Sequence, residues 1–360
     1  MRVGYVPYRE DCTAPGDRRR FCGYARRRTI TFEIARPTES YDLVVLSERA
    51  DLSVWRRYGF GGAKIVYDLI DSYLAIPRTD IRGLLRGAAK FLSRQSRYPQ
   101  LSYWRAVEEM CLRADAVVCT TDEQRRDILK FCHNVHIILD LQASDLGATK
   151  TSYVASDVFS FVWEGLGTNL GTLDLLSPIL RRLSRARPIA LHVVTDLTYP
   201  AYLGRYGRRS STARAAKVFD NVTLHRWSPD TLSAVATACD MAVIPIDLDD
   251  PFAYGKPENK LLLFWRMGIP AVVSASPAYE RAMRACGLRM ACRTEEDWYS
   301  TLQAYMRSEP LRREAGQRGL QFVHLHHGDD RTLSAWDSVL DSLFAPESNT
   351  TNERPARVGP

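Results

Sequence analysis

The sequence contains no run of eighteen or more apolar residues, the length a helix needs to cross a bilayer. Its start, Met1 to Arg9, lacks the charged, apolar and cleavable pattern of a secretory leader and reads instead as a short strand. Eight cysteines (Cys12, Cys22, Cys111, Cys119, Cys132, Cys239, Cys286 and Cys292) occur without a CxxC pair or a Cys/His cluster, so neither zinc nor a disulfide frame is suggested. The expectation is a soluble, cytoplasmic protein with buried thiols. No helix-turn-helix or RRM pattern is present, and nucleic acid is not an expected partner.

What is present is enough apolar material for two cores: 360 residues, 45% of them hydrophobic. The formal charge is +7, and residues 1–150 hold most of the excess, with 25 Lys and Arg against 19 Asp and Glu. Any basic partner surface is therefore expected in the first half.

Tyr41–Ser47, Lys64–Asp71 and Asp115–Thr120 are short β-branched runs ending in polar residues, as strands covered on both faces do. The Arg-rich stretch before them, up to Arg28, shows no clear pattern. Thr121-Asp-Glu-Gln124 spells a capping box, and a strand follows from Val135 to Leu139. Strand, helix and strand in alternation demand crossover connections and hence a parallel sheet. The pattern restarts at Val158–Trp163 and continues with Ile189–Thr195, a Ser228-Pro229 helix start, a strand over Asp240–Ile246, a helix over Lys260–Met267 and a strand over Ile269–Ser274. The expected organisation is one domain over 1–150, a second over 155–330, a final amphipathic helix within 331–345 and a polar, disordered tail over 346–360.

Ligands of open parallel sheets bind beyond the carboxyl ends of the strands, so the segments after those ends are the places to search. The turn Trp163-Glu164-Gly165-Leu166-Gly167-Thr168-Asn169 can present backbone N–H groups to a diphosphate at a helix N-terminus, although its glycines equally suit tight packing. Lys256-Pro-Glu258-Asn259-Lys260 opens a helix; Lys260 there can counter phosphate charge, or both lysines can pair with Asp249, Asp250 or Glu258. Asp71, in Asp68-Leu-Ile-Asp71-Ser-Tyr73, would orient an acceptor hydroxyl across a cleft or simply cap a helix beginning after it. Arg226-Trp227 would set an indole against a nucleotide base or pack it away.

Three segments carry a resemblance: Lys64-Ile-Val-Tyr-Asp-Leu-Ile-Asp71, Phe161-Val-Trp-Glu-Gly165, and the run from Asn259-Lys-Leu-Leu-Leu-Phe-Trp through Gly268-Ile-Pro-Ala-Val-Val-Ser274. Together they resemble the GT-B glycosyltransferases of the group-1, family-4 kind found in bacterial polysaccharide assembly. That resemblance implies an α/β fold of two doubly wound, Rossmann-like domains facing across a cleft, with the last helix crossing back to the first domain. It implies a retaining transfer of a hexosyl group from a nucleotide-diphosphate sugar to a hydroxyl of a lipid-linked or oligosaccharide acceptor, with no metal and no cofactor besides the co-substrate. Carried onto this chain, the catalytic set is Asp71, Lys260 and Glu258, and the donor set is Trp163, Glu164, Gly165, Gly167, Thr168, Asn169, Arg226, Trp227, Lys256 and Asn259. Two departures stand out. Leu263 occupies the place of a glutamate that holds the nucleotide ribose, and Gly255 occupies the place of a second glutamate eight positions earlier.

Arg82, Arg86, Lys90 and Arg94 recur every four residues beside Ile81, Leu84, Leu85, Ala88, Phe91 and Leu92, one basic stripe on an amphipathic helix. An anionic inner-leaflet surface would relieve the repulsion along that stripe; a solvated helix packed by its apolar side is the alternative. Two rival functions remain: a non-catalytic GT-B-like binding subunit, and a metal-dependent transferase using the Asp247-Leu-Asp249 triplet.

Overall fold

The computed structural model describes every residue except 60, 61, 78, 101, 143–145, 201–206 and 345–360, with the backbone alone at 81–84. The tail expected to be disordered, 346–360, lies outside the described residues.

The first half builds a parallel sheet from β1 (Val3–Val6), β2 (Glu33–Ile34), β3 (Leu43–Ser47), β4 (Lys64–Asp68), β5 (Ala116–Cys119) and β6 (Val135–Ile137), in the order β2-β1-β3-β4-β5-β6. The second half uses β7 (Phe159–Glu164), β8 (Ile189–Thr195), a separate antiparallel hairpin β9 (Thr198–Pro200) and β10 (Arg208–Ser210), then β11 (Val222–Arg226), β12 (Met241–Ile244), β13 (Ala271–Ser274) and β14 (Ala291–Cys292). Its six-stranded sheet is also parallel, ordered β11-β8-β7-β12-β13-β14. Every residue of β3, β5, β12 and β13 is buried, which is why these runs are apolar throughout rather than alternating.

Each sheet reverses its order once, between β1 and β3 and between β7 and β12. Strand order that reverses leaves a crevice at the carboxyl ends, because the loops leaving the strands diverge to opposite faces. These two crevices position the candidate site residues.

The capping box at Thr121 and Gln124 forms as spelled, and Ser228 caps the helix Pro229–Ala238 through the N–H of Thr231. The Arg-rich stretch without pattern contains helices Pro15–Arg18 and Phe21–Arg27. Arg20 between them is fully buried, bonded to Asp68 at 2.6 Å and to the carbonyl of Ile138 at 2.9 Å. A buried ion pair of this kind ties the loop after β1 to the end of β4.

The last helix, Asp329–Phe344, leaves the second half and lies on the first. Leu333, Trp336, Val339 and Leu343 enter the same core as Tyr5, Phe21 and Tyr24, with Trp336 stacked on Tyr24 at 5.6 Å. Asp337 accepts from the Tyr24 hydroxyl (2.9 Å) and from Arg28 (2.6 Å). The halves also touch across the cleft: Arg281 forks onto Glu123 at 2.6 and 2.9 Å, and the Ser72 hydroxyl donates to the Gly255 carbonyl at 3.1 Å.

The helix Ile81–Leu92 forms; of its expected basic stripe Arg86 and Arg94 are exposed and Lys90 is half-buried. Arg86 lies 4.8 Å from the Tyr73 ring and donates to its hydroxyl at 2.6 Å, and the Lys90 ammonium sits 3.8 Å from the Tyr103 ring. Leu85, Phe91 and Leu92 are exposed as well. Cation–π attraction to Tyr73, Tyr103 and Trp104 holds one side of Arg86 and Lys90 against these rings. Arg94 is exposed, while the Arg82 side chain lies outside the described residues.

Candidate active site

The second-half crevice is built around the turn after β7. Lys260, in the first turn of the helix Asn259–Arg266, reaches back to donate to the Glu164 carbonyl at 2.9 Å, with its ammonium 5.2 Å from the Trp163 ring. Gly165 is what permits this, since a Cβ there would stand 2.6 Å from the Lys260 Nζ and 2.8 Å from the Trp163 ring. Burial lowers the Lys260 ammonium below its ordinary range; Glu164 opposes that shift, while Lys256 and Arg19 add to it. Lys260, Lys256 and Arg19 thus lie near one another beside Glu164.

Several expected donor residues have other duties. Trp163 is 1% exposed and belongs to the second core, so it props Lys260 rather than meeting a ligand. Gly167–Leu176 winds as a 3-10 helix and the α-helix begins only at Ser177, because two glycines in the first turns weaken the α-form; the expected α-helical N-terminus is absent from Gly165–Asn169. The Asn169 N–H is spent on the Leu166 carbonyl at 2.8 Å, and Gly167 is covered by Tyr199 and Ser211. Thr168 is exposed.

Trp227 donates its indole N–H to Glu164 at 3.1 Å, while Arg18 and Arg19 of the first half lie 5.2 and 5.9 Å from its ring. The ring face expected to meet a base therefore holds arginines. Arg226 is exposed at the end of the edge strand β11. Asn259 is occupied by the connector between the halves, its Oδ1 accepting from the Asp140 N–H and its carbonyl from Gln142 at 2.8 Å.

The two departures acquire a physical meaning. Leu263 is 1% exposed and sits in the second core. A Cβ at Gly255 would fall 2.2 Å from the Ser72 Oγ of the first half, so a side chain there requires Ser72 to move. At that position a contact between the halves replaces a carboxylate. Glu258 is the nearby acid, which burial pushes up to about 7. In the Asp247-Leu-Asp249 triplet, Asp247 accepts from the Asp249 N–H at 3.0 Å, the ordinary use of such a side chain in a turn.

The first-half crevice holds a residue that no sequence motif marks. Glu48 directly follows β3 and meets Asp71, which follows β4. Burial first, and then the charge of Asp71, push the Glu48 carboxyl up to about 8; burial likewise raises Asp71, against the pull of Lys256 and Arg86. Burial pushes Lys90, beside them, down to about 7. Glu48 is one residue after one strand and has no spacing to announce it. Only the reversal between β1 and β3 marks its place. The buried hydroxyls of Thr195, the last residue of β8, and of Ser211 and Ser276 escape a sequence reading for the same reason; they have no hydrogen-bond partner among the described residues.

No protein-family model matches this chain, and no curated protein does. Solved structures do. The chain is similar to S. aureus TarM, with a TM-score of 0.59 and 11% identity over 83% of this chain and 54% of that one, so it spans about half of that protein's length. It is similar to a glycosyltransferase from Rickettsia africae (TM-score 0.60, 11% identity, 96% of this chain and 98% of that one). It is also similar to Anabaena HepE, solved with UDP (TM-score 0.62, 11% identity, 95% of this chain and 100% of that one). Two reversed parallel sheets facing across a cleft, with the last helix returned to the first, give this chain the GT-B fold.

Proposed function

We propose that the chain is a glycosyltransferase that moves a sugar from a nucleotide diphosphate to a hydroxyl acceptor. The observation that carries this reading is Lys260, fixed on the Glu164 carbonyl near Lys256 and Arg19, with the carboxyls of Asp71 and Glu48 next to Lys256 across the cleft. The lysine would stabilise the leaving diphosphate, Asp71 would orient the acceptor, and Glu258 would contact the sugar or ribose. Anabaena HepE has been solved with UDP and glucose, which favours a uridine donor as the first to try. Thermal melting across nucleotide diphosphates and their sugars tests this, because a ligand of the native state raises the melting temperature by mass action. The expected outcome is a rise with one nucleotide, lost in Lys260→Ala; no rise with any would overturn the reading.

Retention, a hexosyl donor and independence from metal are the finer expectations, and a chelator that abolished transfer would return attention to Asp247 and Asp249. A lipid-linked acceptor in cell-surface polysaccharide assembly, met at the inner face of the membrane, completes the proposal. Among the described residues no helix is long and apolar enough to cross a membrane. The exposed Leu85, Phe91 and Leu92, with Arg94 and Arg97 at the end of their helix, would give peripheral contact. Leu85→Ser/Leu92→Ser is expected to lose at least half of its co-sedimentation with phosphatidylglycerol vesicles at low salt. Equal sedimentation would remove the membrane from the proposal.

A second reading, a non-catalytic subunit, is favoured by one observation: both glutamate positions are filled, by the core at Leu263 and by Ser72 at Gly255. Nucleotide binding without turnover of any nucleotide sugar is what that reading expects.

A further inference from the structure

We propose that Glu48 and Asp71 act together as the acceptor subsite, taking two neighbouring hydroxyls of a pyranoside, one donating to Asp71 and the other to the free Oε1 of Glu48. The inference rests on the glycosyltransferase reading and names the acceptor chemistry of its first-half crevice.

The two carboxyls come from different strands and meet where the strand order reverses, the position at which an open sheet offers room for a ligand. Glu48 is 7% exposed; the Tyr8 hydroxyl stands 3.4 Å from Oε2 and the Tyr73 hydroxyl also meets the carboxyl, yet Oε1 has no hydrogen-bond partner of good geometry among the described residues. A buried carboxyl oxygen without a donor or acceptor is costly, and natural proteins rarely leave one so unless a ligand completes it.

Two carboxyls in contact hold one proton between them through neutral pH, since ionising both would place like charges side by side out of water. With that proton held between them, the pair turns its remaining oxygens outward as acceptors, Oε1 of Glu48 among them. Sugar hydroxyls both donate and accept, so two adjacent ones satisfy this set. A carboxylate, which only accepts, finds no donor in the pair itself. The direction of approach is also fixed: Lys256 lies close to Asp71 from the second half, so a sugar held here faces the donor crevice.

The charged groups around the pair come from every neighbouring element. Arg49 follows Glu48, Tyr8 follows β1, Tyr73 follows Asp71, Arg86 and Lys90 come from the helix Ile81–Leu92, Tyr103 from the next helix, and Lys256 from the second half. Burial raises Glu48 to about 8, so the shared proton is present below that pH and lost as pH rises through it.

The test is ligand-observed NMR on the full chain with UDP present, using methyl glucopyranoside, galactopyranoside and mannopyranoside with their single deoxy derivatives. At pH 7 one of the three is expected to bind, and removing either of two adjacent hydroxyls should weaken it at least about tenfold. Affinity should fall at least about tenfold between pH 7 and pH 9. Glu48→Gln, whose amide N–H stands in for the carboxyl O–H, should hold affinity within about threefold and flatten the pH profile, whereas Asp71→Ala should lose binding. Lys90→Arg, charged throughout, should keep the wild-type profile, which separates the pair from the lysine that titrates beside it. Failure of all three glycosides to bind, equal loss in Glu48→Gln and Asp71→Ala, or a flat wild-type profile would overturn the proposal. The UDP melting shift is read on the same samples. UDP bound without any glycoside sinks the subsite alone, and no nucleotide bound sinks the transferase reading as well.

Discussion

Lys260→Ala is expected to lower sugar transfer about 10²–10³-fold, the loss appearing in kcat more than in KM, with the UDP melting shift reduced at the same time. The ammonium is held in place before any substrate arrives, by the Glu164 carbonyl at 2.9 Å and by the face of Trp163. A group so fixed needs no rearrangement when negative charge grows on the departing diphosphate, and that is where a preorganised cation gains most. Burial disfavours the empty, charged lysine, so an arriving anion also relieves a cost already present in the fold. Lys260→Arg should not rescue the loss. The Gly165 turn leaves no room for a wider group, since even a Cβ there would stand 2.6 Å from Nζ, and a guanidinium presents its donors in a different geometry. Steady-state transfer with both variants decides the matter; activity of Lys260→Ala within threefold of wild type would remove the lysine from the chemistry.

Trp336→Ala is expected to cost about 3–5 kcal/mol of stability, a large share of the ~5–15 kcal/mol available to a native protein. Trp336 is fully buried, stacked on Tyr24 at 5.6 Å and edge-on to Phe21 at 5.8 Å. Truncation removes the largest side chain of the crossing helix and leaves a cavity lined by both rings. Asp337 and its bonds to Arg28 and Tyr24 then hold a helix with no core beneath it. Trp336→Phe should recover at least half of the loss. Denaturant unfolding measures this, and a loss below about 1 kcal/mol would mean the helix is not integral to the first half.

Much of the fold was legible because its signals are local. Strands buried on both faces read as continuous β-branched runs, and Thr121 with Gln124 announced a helix start that formed as spelled. Lys260 was legible too, as a lysine at a helix start. The rest depends on who meets whom. Helical periodicity correctly grouped Arg86 with Lys90, but their direction was set by Tyr73, Tyr103 and Trp104, which no helical wheel contains. Trp227 looked like a base-stacking residue until Arg18 and Arg19 arrived on its face from the other half. Glu48 became visible only once β3 was known to lie beside β1. Gly255 carried no message alone; its meaning is the Ser72 hydroxyl packed against it.

The crossing helix also sets an order of events during synthesis. A chain leaving the ribosome presents Phe21 and Tyr24 before the side chains that cover them, Leu333, Trp336, Val339 and Leu343, which follow the whole second half. The first half thus cannot close its core when its own strands are complete, and it carries an open aromatic patch throughout translation of the second half. Slowing translation between the first half and the crossing helix would prolong the interval in which that patch can find another chain.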